Sequence, residues 1–204
     1  MNTTGGFYVS PLGAALSRGH LKMAHLLYER GADVDVKGLN NFTPLMAESC
    51  SGHLEIVQWL LSRDANLTAP GRDEHIGWTP LHAAAFRGHV EVSRLLLQYK
   101  ADIHAHDSNG RTPLHEAVRN DFINNVNSAR LLLEHGADVN ARDNKRNTPL
   151  HIASERAYLD VARLLVERCG DIDAENDEGR TAFQLASEGG YDDVVKFLSD
   201  RGSK

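Results

Sequence analysis

Six times along the chain a Ser or Thr opens the same short phrase: SPLG at Ser10, TPLM at Thr43, TPLH at Thr79, Thr112 and Thr148, and TAFQ at Thr181. The intervals are 33, 36, 33, 36 and 33 residues. A fixed period of that length restricts the chain to a repeat architecture, in which each unit is one supersecondary element that cannot bury its apolar face alone. Behind each phrase comes an Ala-rich stretch, then a Leu-rich one, and between them Gly-His or a relative of it.

Two short helices per repeat fit this order. A Ser or Thr before Pro places a hydroxyl at the helix N-cap and a ring at the first helical position, where the missing N–H costs nothing. Gly19, Gly52, Gly88 and Gly190 then separate the two helices. Gly31, Gly136 and Gly202 stand where the second helix is predicted to end in a left-handed residue, with Asp64, Lys100 and Cys169 at the same place in other repeats. Extended stretches rich in turn residues follow, such as ADVNARDNKRN before Thr148, and read as hairpin-like fingers. Gly77, Gly110 and Gly179 suit the finger turn; Asn41 and Arg146 occupy that position elsewhere, and Arg146 is the odd one.

The segment TPLHAAAFRGHVEVSRLLLQYKAD from Thr79 closely resembles an ankyrin repeat, and the six phrases extend the resemblance from Ser10 onward. It implies an all-α fold, an ankyrin-repeat solenoid of stacked helix-turn-helix units with hairpin-like fingers. The repeats fall at about 10–42, 43–78, 79–111, 112–147, 148–180 and 181–204, forming one domain. Leu12, Leu45, Leu81, Leu114, Leu150 and Phe183 are expected to form a continuous inner row. The second helices add pairs such as Leu26 and Leu27, Leu60 and Leu61, and Leu95 and Leu96.

Ankyrin proteins typically bind partner proteins through the groove formed by the first helices and the fingers. The resemblance implies contacts from the finger tips and from the two positions before the inter-helix glycine. The residues so assigned are Arg18, Phe86, Arg87, Arg119, Asn120, Glu155 and Arg156, with Phe42, Trp78 and Arg111 at the fingers. Arg18, Arg87, Arg119 and Arg156 form a row before the inter-helix glycines, in a chain of formal charge −6 with 22 basic and 28 acidic residues, which points to an acidic partner surface or segment. Arg and aromatic residues are enriched at interface centres, so Phe86 beside Arg87 is the leading candidate for the contact centre. The competing reading is a solvated helix face, partly neutralised by Glu155. Phe42 and Trp78 either join an aromatic cluster with Phe86 that a partner touches or simply pack along their fingers.

The two longer repeats gain residues in different places. Repeat 2 has a longer finger from Thr68 to Trp78, and repeat 4 a longer inter-helix turn around Asp121 to Asn127. Either could contact a partner, but longer surface loops cost little. Of the eleven histidines, His82, His115 and His151 belong to the TPLH phrase, to which the resemblance assigns structural hydrogen bonding. His104 and His106 lack further ligands at metal spacing. The chain has no phosphate loop, GxSxG elbow, HExxH helix or CxxC pair. No cofactor, metal or catalytic residue is therefore expected; an enzyme site assembled in the groove and a passive spacer are the alternative classes.

No stretch approaches the roughly 18 consecutive apolar residues of a membrane span. The negative balance disfavours a nucleic-acid partner, which needs a concentrated basic face. Cys50 and Cys169 fall three repeats apart, beyond the roughly 7 Å that a disulfide spans between Cα atoms, and free thiols fit a cytoplasmic or nuclear setting. A monomer is expected. Repeat 6 reads as a C-terminal cap, whereas repeat 1 has little extra polarity and reads as cut from a longer array. The opening GGFYVSPLGAALSRGHLKMAHLLYERGADV also loosely resembles repeats of fungal NACHT-type signalling proteins, which would make the array the recognition part of a larger protein.

Overall fold

The computed structural model describes residues 10–38, 42–68, 77–120 and 125–202. Twelve helices among them pair as six repeats: α1 (Pro11–Ser17) with α2 (Leu21–Glu29), α3 (Pro44–Ser51) with α4 (Leu54–Leu61), α5 (Pro80–Phe86) with α6 (Val90–Gln98), α7 (Pro113–Arg119) with α8 (Asn125–Glu134), α9 (Pro149–Glu155) with α10 (Leu159–Glu167), and α11 (Ala182–Glu188) with α12 (Asp192–Gly202). The first helices stack on one another along the array, and the second helices form a parallel outer layer. No strand occurs among the described residues. The fingers nevertheless close with hairpin-type bonds, from the N–H of Asp107 to Arg111 O, Asp143 to Asn147 O, and Asn176 to Arg180 O.

Each inner helix starts where the phrase starts. Ser10 and Thr43 accept through their hydroxyls from the N–H groups of Gly13 and Met46. In the three TPLH repeats the capping is reciprocal: the N–H of Thr79, Thr112 and Thr148 donates to Nδ1 of His82, His115 and His151. Because Nδ1 accepts there, the ring proton sits on Nε2, which donates to the carbonyls of Arg111, Asn147 and Arg180 in the next repeat. One buried imidazole thus fastens a helix start to the following finger. In repeat 6, Gln184 Oε1 accepts from Thr181 N in the same position.

The core runs as a stripe between the helix layers and includes the inner row from Leu12 to Leu150. Two expected members depart from it. Phe183 is 38% exposed because, among the described residues, no further helix pair lies against the face that buries its counterparts. Leu26, at the opposite end of the stack, is 44% exposed, whereas Leu131 and Leu164 at its position in repeats 4 and 5 are buried. Leu27, Leu95 and Val195 pack only partly into the core.

The inter-helix glycines all have positive φ, as do Gly31, Gly136, Asp64, Lys100, Cys169 and Arg146, in agreement with the register. Gly202 instead lies inside α12 and has no positive φ. Repeat 5 carries Ala157 at φ 61° where other repeats have glycine. A Cβ in the left-handed region costs about 1–2 kcal/mol, part of which a glycine gives back through unfolded-state entropy. Ala157→Gly is therefore expected to raise stability by about 0.5–1 kcal/mol. An unchanged or lower urea midpoint would contradict the assignment of strain to this position.

Most of the long finger of repeat 2 (69–76), the turn 121–124 with Phe122 and Ile123, and the tip residues Asn40 and Asn41 lie outside the described residues.

Candidate protein interface on the inner face

Two rows of side chains line the inner face. The residues just before each helix cap are Phe42, Trp78, Arg111, Asn147 and Arg180; those at or near the ends of the inner helices are Cys50, Phe86, Arg119, Glu155 and Glu188. In repeats 2 and 3 the two rows meet in an apolar cluster separate from the main core. Met46, Trp78 and Ala83 are buried in it, and Phe42, Cys50 and Phe86 pack partly buried against them. The edge of Trp78 meets Phe86 with ring centroids 5.1 Å apart, and its ring stacks with His82 at 6.4 Å. Trp78, for which the sequence left partner contact and packing along its finger open, is only 2% exposed and packs in the cluster with Phe86 and Met46. It supports the half-buried Phe86 and offers little surface of its own.

Two arginines flank Phe86. Arg87 and Arg119 reach over its ring, with guanidinium carbons 5.9 and 5.2 Å from the centroid, a geometry that favours a cation. The amide of Asn120 donates to Phe86 O at 3.2 Å and ties the end of α7 to the end of α5. Beneath Arg119 lies Glu116, whose side chain has no solvent exposure. Its Oε2 accepts from Arg119 Nε at 3.0 Å, and Arg111 Nη1 stands 3.7 Å from its Oε1. Burial pushes the Glu116 carboxyl pKa up, against the pull of the Arg119 and Arg111 charges. Arg111 also lies 3.8 Å from Asp143, a carboxylate that accepts the N–H groups of Lys145 and Asn147 in the next finger.

The sequence reading missed Glu116. The available signal was a charged residue at the place where repeats 3 and 5 carry Ala83 and Ile152. Arg18, Glu155 and Arg156 are exposed at the corresponding places of repeats 1 and 5, outside the cluster around Phe86. In repeat 6, Arg180 is held by Glu178 and by Glu188, the latter at 2.6 Å.

Family models of ankyrin repeats match residues 1–71, 66–143 and 132–186, together covering most of the chain. The chain belongs to the ankyrin repeat family. Ankyrin repeat domains are generally protein–protein interaction modules and are typically non-enzymatic. Among curated proteins, a 67-residue stretch is 45% identical to the probable E3 ubiquitin-protein ligase XBOS33 of Oryza sativa subsp. japonica and covers 33% of this chain. A stretch of the same length is 42% identical to the E3 ubiquitin-protein ligase XBAT33 of Arabidopsis thaliana. The match spans only 13% of each relative's length, so the likeness is to their repeats and not to the whole proteins. None of the helices among the described residues of this ankyrin array is long and apolar enough to cross a membrane.

Proposed function

We propose that this ankyrin array binds a partner protein through the inner face of repeats 2 to 4, with Phe86 at the centre and Arg87, Arg119 and Asn120 around it. The observation that carries the reading is the second apolar cluster, which lies off the structural core, leaves Phe86 half-exposed and is bordered by arginines. Aromatic and Arg side chains supported from below are the usual composition of a contact centre. The partner presents an acidic surface, which the arginines would pair with charge-assisted hydrogen bonds. Arg18, Phe42, Arg111, Glu155 and Arg156 form the periphery.

Partner capture from native cell extract tests this, comparing wild type with a Phe86→Ala, Arg87→Glu double variant of equal thermal stability. Retention of a partner by wild type and its loss by the variant is the expected result. Equal capture by both proteins would mean that this part of the inner face is ordinary solvated surface and would favour a passive spacer. The matched stretch spans only 13% of each of the named relatives, whose names are those of E3 ubiquitin-protein ligases, and this supports a role for the array as the recognition segment of a larger signalling protein.

A further inference from the structure

Glu116 occupies a position at which the other repeats are apolar. The fourth residue after the Ser or Thr that opens each inner helix is Ala14, Ala47, Ala83, Ile152 and Leu185 in repeats 1, 2, 3, 5 and 6. Glu116 fills the same place with no solvent exposure, and a carboxylate there has lost its hydration. Burial and the charge of Asp107 push its pKa up, against the pull of Arg119 and Arg111. A well-packed apolar residue in place of a buried, paired charge is often neutral or stabilising, so the fold alone gives no reason for a carboxylate here. Repeat 6 shows a less demanding arrangement: Arg180 pairs with Glu178 and Glu188, whose side chains are both more than half exposed.

What the carboxylate does is visible in its partners. Glu116 Oε2 accepts from Arg119 Nε at 3.0 Å, and the guanidinium so held lies 5.2 Å from the centre of the Phe86 ring. Arg111 is held less closely, 3.7 Å from Glu116 and 3.8 Å from Asp143, and is shared between the two carboxylates. We infer that Glu116 is a positioning residue of the inner-face interface, which fixes the Arg119 guanidinium over Phe86 before a partner arrives. This rests on the proposed inner-face binding and adds to it a buried residue that acts through Arg119. A loose arginine loses its rotamer freedom on binding, whereas Arg119 has lost it already; ordering one such side chain is worth about three- to tenfold in affinity.

The test uses a peptide selected from a random phage library on the intact chain and dependent on Phe86 for binding. Glu116→Leu should bind it about three- to tenfold more weakly than wild type, with a urea midpoint equal to or above that of wild type. Glu116→Gln, which keeps the shape and removes the charge, should weaken binding in the same direction, so that a misfit of the leucine cannot account for the loss. Nuclear relaxation of the Arg119 Nε–H should report a rigid side chain in wild type and a mobile one in Glu116→Leu. In an Arg119→Ala background, Glu116→Leu should change the affinity by less than about twofold, because its effect runs through Arg119. Equal losses with and without Arg119, or an Arg119 side chain as rigid in Glu116→Leu as in wild type, would overturn the inference and make Glu116 a structural residue. If peptides depend on Phe86 but bind Glu116→Leu as tightly as wild type, only the role of Glu116 falls. If no selected peptide depends on Phe86, the inner-face reading falls and this inference with it.

Discussion

Replacing Leu114 with Ala is expected to lower the unfolding free energy by about 2–5 kcal/mol, read as a fall in the urea midpoint. Leu114 has 0% exposure in α7, within the stripe that joins repeat 4 to its neighbours. Truncation loses the transfer free energy of the removed methyl groups and leaves a cavity that helices packed on both sides cannot fully close. Its position in the middle of the stack adds a second consequence. Nearest-neighbour contacts couple one repeat to the next, so a weakened centre should broaden the transition as the two halves begin to separate. Phe183→Ala provides the control, because the partly exposed ring at the same phrase position has less contact to lose. An effect below about 0.5 kcal/mol for Leu114→Ala would contradict its place in the core.

Acid is expected to destabilise the array between about pH 6.5 and pH 4, through its buried phrase histidines. Burial holds His82, His115 and His151 below the usual imidazole range, and His115 is lowered from 6.5 to about 4. Each is kept neutral by accepting a Thr N–H at Nδ1, a bond that a second ring proton would abolish. The sign follows from proton uptake. In that window the unfolded chain binds protons that the folded chain refuses, so stability is greatest above pH 6.5 and is lost as pH falls toward 4. For His115 alone the loss is about 3 kcal/mol. Glu116 opposes it, since a carboxyl whose pKa is raised by burial takes up its proton first in the folded state. His115→Gln should preserve the cap, as Gln184 does in repeat 6, while flattening the pH dependence of the urea midpoint. Identical slopes for wild type and this variant would contradict the role given to His115.

The helix starts were legible in the sequence because Ser or Thr before Pro has one clear structural meaning, and the period then placed every inner helix. Burial at the ends of the stack was not. Leu26 and Phe183 read as core by register, yet a repeat residue is buried by its neighbour, and the pattern of one repeat does not say whether a neighbour is there. Ala157 was missed for a related reason. Glycine signals a left-handed residue, whereas an alanine in the same conformation is dictated by the repeats on either side.

At the candidate site, Phe86 with Arg87 was readable as a local pair, and Arg119 joined it through the repeat spacing. For Trp78 the sequence left packing along the finger and partner contact open, because its finger position alone cannot reveal that Phe86 and Met46 pack against it. Glu116 was invisible as part of the candidate site because its meaning depends on Arg111, which arrives from the finger, and on Arg119 one helical turn later. Charge partners that converge from different elements leave no pattern in the linear sequence.

The most direct test of the inner-face account is amide hydrogen exchange of the intact chain with and without the protein it captures. Binding at the proposed surface should slow exchange in peptides covering 79–87 and 111–120, where Phe86, Arg87, Arg111, Arg119 and Asn120 lie, with little change over 90–98 and 125–134. Protection confined to the outer helices α6 and α8 would contradict the account and move the interface to the opposite face of the array.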